Sequence, residues 1–131
     1  MDTPFECVTL AEIVEANRRL TARFGGRHAL MQPGSLEHAL ARVHGVIPGD
    51  PGLPTTTAKA AFLCLRLAQG HFFFDGNKRT AFWTCKATLH LNGFNLSLGT
   101  DDVVGRMIAM ALKEMDVAAV ECWLLTGLTR R

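Results

Sequence analysis

Most of the chemistry the sequence could carry lies in nine consecutive residues, His71-Phe-Phe-Phe-Asp-Gly-Asn-Lys-Arg79. His71 is the one group among them able to take a proton near neutral pH, which suits it to act as a general base. Asp75 supplies a hard oxygen of the kind Mg²⁺ accepts alongside nucleotide phosphates. Gly76 and Asn77 both tolerate left-handed backbone conformations. Successive N–H groups can then turn into one concavity and form an anion nest. A helix starting there would add the positive end of its dipole. Lys78 and Arg79 bring two cations to the same mouth, and a guanidinium fork matches phosphate oxygens. These residues read as a nucleotide-phosphate site with a general base at its edge.

Each piece taken singly has a plainer explanation. His71 could be a capping or core histidine, Asp75-Gly-Asn77 an ordinary turn, and Lys78-Arg79 a solvated helix start. The conjunction argues for a site, because a polar cluster clamped between two apolar helices costs desolvation free energy. It is not a Walker A loop: Gly70 and Gly76 are one residue too far apart, and Asn77 stands where Lys would follow. Phe73 is expected to anchor the loop on the core, and at least one of Phe72 and Phe74 to face the cleft.

The elements that must position this loop are helical. Thr9-Leu-Ala-Glu12 has the form of a capping box, opening a helix to Phe24 that stops at Gly25-Gly26. One face of it carries Leu10, Ile13, Val14, Asn17 and Leu20; the other carries Arg18, Arg19 and Arg23. A second helix reads from Ser35 to about His44. The segment Gly45–Pro54 has three prolines and three glycines in ten residues, and reads as an exposed loop or hairpin. Thr55-Thr-Thr57 opens a third helix ending near Gly70, apolar almost all round and so expected at the centre of the domain. The fourth runs from about Gly76 to Leu91 and stops at Asn92-Gly93. Thr100-Asp-Asp102 is expected to cap a fifth helix through Leu112, and Val117 to Leu125 forms a sixth. Period-two alternation is confined to Asn92–Leu98 and the opening residues, so any sheet is a small ribbon. The fold class is all-α: a single-domain bundle of about six helices spanning residues 1–131.

Composition narrows the function classes. At 131 residues, 48% apolar and 20% charged, the chain can bury a core without staples. A net charge of +2 does not point to nucleic acid. Cys7, Cys64, Cys85 and Cys122 form no CxxC pair, so zinc spacing and a disulfide framework are both absent. With no signal-peptide pattern and no apolar run of about 18 residues, the expectation is a cytoplasmic protein with no membrane contact.

The run from His71 to Ala81, with its pattern His-x-Phe-x-Asp-Gly-Asn-Lys-Arg-Thr-Ala, resembles the signature of the Fic/Doc superfamily, in its Doc (death-on-curing) branch. Weaker similarity extends over the helix near Leu10, the Gly34–Arg42 stretch and Leu91–Phe94. The resemblance implies an all-α enzyme in which His71 activates a target hydroxyl, Asp75 holds Mg²⁺, and Gly76, Asn77, Lys78 and Arg79 bind the phosphates of ATP. Fic proteins transfer AMP. Doc toxins instead phosphorylate a threonine of elongation factor Tu and stop translation, and a Phd-type antitoxin restrains them.

Fic motifs carry a second Gly where Lys78 stands and an Arg where Phe82 stands, so both positions follow the Doc branch. Lys78 would narrow the nest, reverse the seating of ATP and present its γ-phosphate. AMP transfer is the runner-up, and a catalytically silent partner-binding module a third reading. By the resemblance, the Gly45–Pro54 loop would correspond to the family's target-docking flap; its alternative reading is a plain connector rich in Pro and Gly. The basic residues Arg18, Arg19, Arg23 and Arg27 form either a solvated face or a seat for an acidic partner. No Ser/Thr-x-x-x-Glu-Gly/Asn inhibitory motif occurs in the chain, which points to inhibition by a partner.

Overall fold

A computed structural model of the chain describes residues 4–131. It contains α1 (Leu10–Phe24), α2 (Pro33–Val43), α3 (Thr56–Gln69), α4 (Asn77–Leu91), β1 (Phe94–Leu96), α5 (Thr100–Ala111), α6 (Val117–Leu125) and β2 (Leu128–Arg130). The fold is all-α, with one two-stranded antiparallel ribbon.

Local chemistry explains most of the boundaries. The capping box of α1 is formed in both directions: Glu12 N–H donates to Thr9 Oγ1, and Thr9 N–H to Glu12 Oε1. Such a cap contributes about 1 kcal/mol. The helix ends at Gly25, whose φ of 95° lies in the region that favours glycine. Helix α2 starts at Pro33, two residues before the expected Ser35, because proline at a first helical position loses no hydrogen bond. The Thr100 cap is also corrected. Gly99 is the N-cap, with no side-chain bond, and Thr100 is already helical. Asp101 and Asp102 still lie in the first turn, where carboxylates complement the dipole. Asp102 also accepts from the indole N–H of Trp123 at 2.8 Å.

Helix α3 occupies the centre, with Ala60, Ala61, Leu63, Cys64 and Leu67 fully buried. Its main neighbour is α4, which contributes the buried Ala81, Cys85 and Leu89. Each fully buried Leu contributes roughly 1.5–3 kcal/mol. Cys64 and Cys85 are part of this core and all four cysteines are free. Burial pushes the Cys7 thiol up to about 11, and the Cys85 thiol is raised by its contact with Cys64 and by burial.

The ribbon forms inside Asn92–Leu98, as the alternation suggests. Its partner is β2, with Phe94 opposite Arg130 and Leu96 opposite Leu128. The other site considered for a ribbon includes residues 1–3, which lie outside the described residues. Gly45–Pro54 is a loop rather than a hairpin: no strand forms there, and Asp50 ties it down. Its carboxylate takes Arg42 Nε at 3.2 Å and Gly52 N–H at 2.8 Å. Among the described residues no helix is long and apolar enough to cross a membrane.

Candidate active site

The loop from Gly70 to Gly76 joins the two central helices and is fastened to the core along its length. Phe72 and Phe73 are buried, at 0% and 1% exposure, while Phe74 turns outward at 53%. Both inner rings therefore anchor the loop, and the outer one lies under the Arg27 guanidinium, 5.3 Å from its centroid. The connector between α1 and α2 runs alongside. Phe74 N–H donates to the Ala29 carbonyl at 2.9 Å, and the Phe72 carbonyl accepts from Met31 N–H at 2.8 Å and Gln32 N–H at 3.2 Å. An isolated antiparallel bridge joins Leu30 to Phe73.

His71 stands at the start of this loop, exposed to solvent, with φ of 50°. A non-glycine residue in the left-handed region is uncommon and is held there by its surroundings. Here the carboxamide of Gln32 spans it, with Nε2 3.3 Å from the carbonyls of both Gly70 and His71. The core-histidine explanation is excluded by the exposure.

Asp75 is half-buried. Its Oδ2 accepts from Arg27 N–H at 2.7 Å and its carbonyl from Asn17 Nδ2 at 2.9 Å. Oδ1 has no hydrogen bond among the described residues. One free carboxylate oxygen fits Mg²⁺, which is commonly held by one or two carboxylates with substrate phosphates and waters completing the shell. Gly76 has φ of 76° and is the N-cap of α4, with no side chain capping the N–H groups that follow. A Cβ there would lie 3.0 Å from Thr21 Cγ2 and 3.1 Å from Asn17 Nδ2, so glycine is required on both counts.

Asn77 departs from the expectation of a left-handed residue. It is the first helical residue of α4, and its side chain closes the loop instead. Phe73 N–H donates to Asn77 Oδ1 at 3.0 Å, and Asn77 Nδ2 donates to the Phe73 carbonyl at 2.8 Å. The nest thus contains one left-handed residue, Gly76, and Asn77 offers an anion only its backbone N–H.

Lys78 and Arg79, the next two residues of α4, are both exposed. They line a cleft of about 490 Å³ between α1, α4 and α5, floored by Leu20, Phe24, Phe82, Val103 and Met107. Neither His71 nor Asp75 lines it. The Arg79 guanidinium lies 4.5 Å above the Phe24 ring. The two cations thus stand at the first turn of α4, next to the motif loop in sequence and at the edge of the cleft. The other arginines form no single bare face. Arg18 and Arg19 both pair with Glu15, the latter at 3.2 Å, and Arg23 and Arg27 lie over Phe24 and Phe74. Arg18 holds the Glu15 carboxyl well below its usual range.

Asn17, His28 and Gln32 belong to the site although the sequence reading gave them no role in it. Asn17 carried a usable signal, as the one polar side chain in the stripe Leu10, Ile13, Val14, Asn17, Leu20. His28 and Gln32 lie in a connector and carried none.

With the geometry in place, the likeness to known proteins is informative. The sequence model of the Fic/DOC family matches residues 7–89, from the capping box of α1 through the motif loop to the end of α4. The chain belongs to the Fic/DOC family. Among curated Fic/DOC relatives, Toxin Doc of Mycolicibacterium smegmatis is 36% identical over 95 residues, covering 70% of this chain and 73% of that one. Protein kinase doc of Escherichia phage P1 is 26% identical over 109 residues, covering 83% and 85%. Both are Doc proteins, in keeping with Lys78 and Phe82 at the positions that separate the two branches.

Proposed function

We propose that this Fic/DOC chain is a toxin of the Doc type, a protein kinase that moves the γ-phosphate of ATP to a Ser or Thr hydroxyl. The observation that carries the reading is the arrangement of the motif loop. An exposed His71 stands at one end, an uncapped helix N-terminus with two cations at the other, and a carboxylate with one free oxygen between them. The relatives named as a toxin and a protein kinase support it. In this reading His71 takes the proton of the attacking hydroxyl. Backbone N–H groups from Gly76 to Arg79, with the Lys78 and Arg79 side chains, hold the phosphates and stabilise the charge that develops on them. Mg²⁺ on Asp75 would neutralise the phosphate oxygens.

Elongation factor Tu is the target the family suggests, which would place the reaction in the cytoplasm and make its outcome a halt in translation. A Phd-type antitoxin is the proposed inhibitor. The cleft beside Lys78 and Arg79 suits one: an apolar floor and a rim that adds Lys86 match an amphipathic segment with acidic edges.

The experiment is a transfer assay. The protein is incubated with bacterial lysate and ATP labelled at either the α or the γ phosphorus. Label from the γ position alone is expected in a protein band. Label from the α position would make the chain an AMP transferase, and no label from either would leave it a binding module.

A further inference from the structure

Asn17 is fully buried in α1 and grips backbone 58 residues away. Its Nδ2 donates to the Asp75 carbonyl at 2.9 Å and to Thr80 Oγ1 at 3.0 Å, while its Oδ1 lies 2.7 Å from His28 Nδ1. A backbone carbonyl can only accept, so the NH₂ end must face Asp75 and the oxygen must face His28. An amide oxygen also only accepts, so His28 Nδ1 carries the hydrogen. The neutral ring is thereby fixed as its Nδ1–H tautomer.

The consequence reaches the motif through the peptide plane. No cis peptide occurs among the described residues. In a planar trans unit the C=O and the following N–H point in opposite directions. Drawing the Asp75 carbonyl toward α1 therefore turns the Gly76 N–H away from α1. Asp75 is held a second time, because the backbone N–H of Arg27, the neighbour of His28, donates to its carboxylate at 2.7 Å. An apolar residue at position 17 would complete the stripe of α1. It would also release the Asp75 carbonyl, and the direction of the Gly76 N–H with it.

We propose that Asn17, oriented by His28, is a positioning residue of the phosphate site that aims the Gly76 N–H at a bound phosphate. The proposal rests on the phosphate reading of the loop, and its test separates the two. Tripolyphosphate and ATP are titrated into the wild-type chain, and the Gly76 and Asn77 amide resonances are followed. The His28 ring nitrogens are assigned in the same sample.

The expected wild-type result is an Nδ1–H His28 and saturable shifts at both amides. Asn17→Asp keeps the shape but sets an oxygen against the Asp75 carbonyl. It should displace the free-state Gly76 resonance and weaken tripolyphosphate binding about tenfold or more. Thr84→Val, which removes a buried, unpartnered hydroxyl elsewhere on α4, should bind as wild type. Should Asn17→Asp fail to fold, His28 decides: His28→Gln can still donate to Asn17 and should retain binding, whereas His28→Leu should not. An Nε2–H tautomer in the wild type overturns the proposal, as does a folded Asn17→Asp, or a His28→Leu, that binds like wild type. A wild type that shows no shift with either polyphosphate overturns the phosphate reading and the proposal together.

Discussion

The division of labour at the motif is sharpest for His71 and Asp75. His71 is exposed, so His71→Ala should leave the melting curve in place while transfer falls by roughly two to four orders of magnitude. Loss of fold in that variant would show that the residue braces the loop. Asp75 is a different case, because one carboxylate oxygen is engaged by Arg27 N–H and the other is free. Asp75→Asn can keep the engaged oxygen and lose the charge. It should therefore raise the Mg²⁺ concentration needed for activity, with a stability change within about 1 kcal/mol. An identical Mg²⁺ titration in the two proteins would remove the metal role. Residue type singled these two out in the sequence, whereas their exposure and hydrogen-bond partners belong to the three-dimensional structure. The role of Asn77 was not legible there, because an Asn at a turn has two options, a left-handed backbone or a side chain folded onto its neighbours. Only the position of Phe73 decides between them.

At the scale of elements, the helices were legible where a cap preceded apolar residues, whether in a stripe as after Thr9 or almost all round as after Thr55. The fifth helix shows the limit. Thr100 is a good cap by type, yet the extended backbone of Gly99 (φ −65°, ψ 143°) takes the cap position and draws Thr100 into the helix. Strand β2 was missed because three residues, Leu-Thr-Arg, have no periodicity, and their partner is over thirty residues upstream. Helix α4 carries the test of phosphate orientation. Lys78 and Phe82 lie one turn apart and line the same cleft. Lys78→Gly should lose γ-phosphate transfer, and mass analysis of the modified target should show little AMP in its place. Adding Phe82→Arg should not supply the missing phosphate contact. Phe82 is half-buried, 6.4 Å from the Trp123 ring, so a charge there should destabilise the protein by about 1–3 kcal/mol. Full phosphorylation by Lys78→Gly would sink this account of nucleotide orientation.

For the whole molecule, the reading makes a physiological claim. Expression in a bacterium should arrest growth, and a co-expressed acidic partner should relieve the arrest. Harmless accumulation of folded, ATP-binding protein would count against a toxin. A pH effect joins α5 to α6. The indole N–H of Trp123, aided by Arg106, holds the Asp102 carboxyl below its ordinary value. A carboxyl depressed in the folded state contributes stability above its unfolded pKa of about 3.9. That contribution fades as pH falls through the lower folded value. Fluorescence of the buried Trp123 should therefore change below about pH 4 in the wild type, and Asp102→Asn should lack that transition.

Active-site loops commonly open and close on their own, faster and more often than the protein unfolds. The Gly70–Gly76 loop has little freedom of that kind: two of its rings are core residues, and its amides are bonded to Asn77 and to the Ala29 carbonyl. Opening it means extracting Phe72 and Phe73 from the core, a cost of roughly 3–6 kcal/mol that reaches the lower range of a domain's whole stability. Hydrogen exchange at the Phe73 and Phe74 amides should then be as slow as in the middle of α3 and α4. Heat should abolish activity at the temperature where the helices melt and not before. An enzyme built this way has no idle resting shape to fall back on. In the proposed reading the site is assembled whenever the chain is folded, and restraint would come from a partner placed over it.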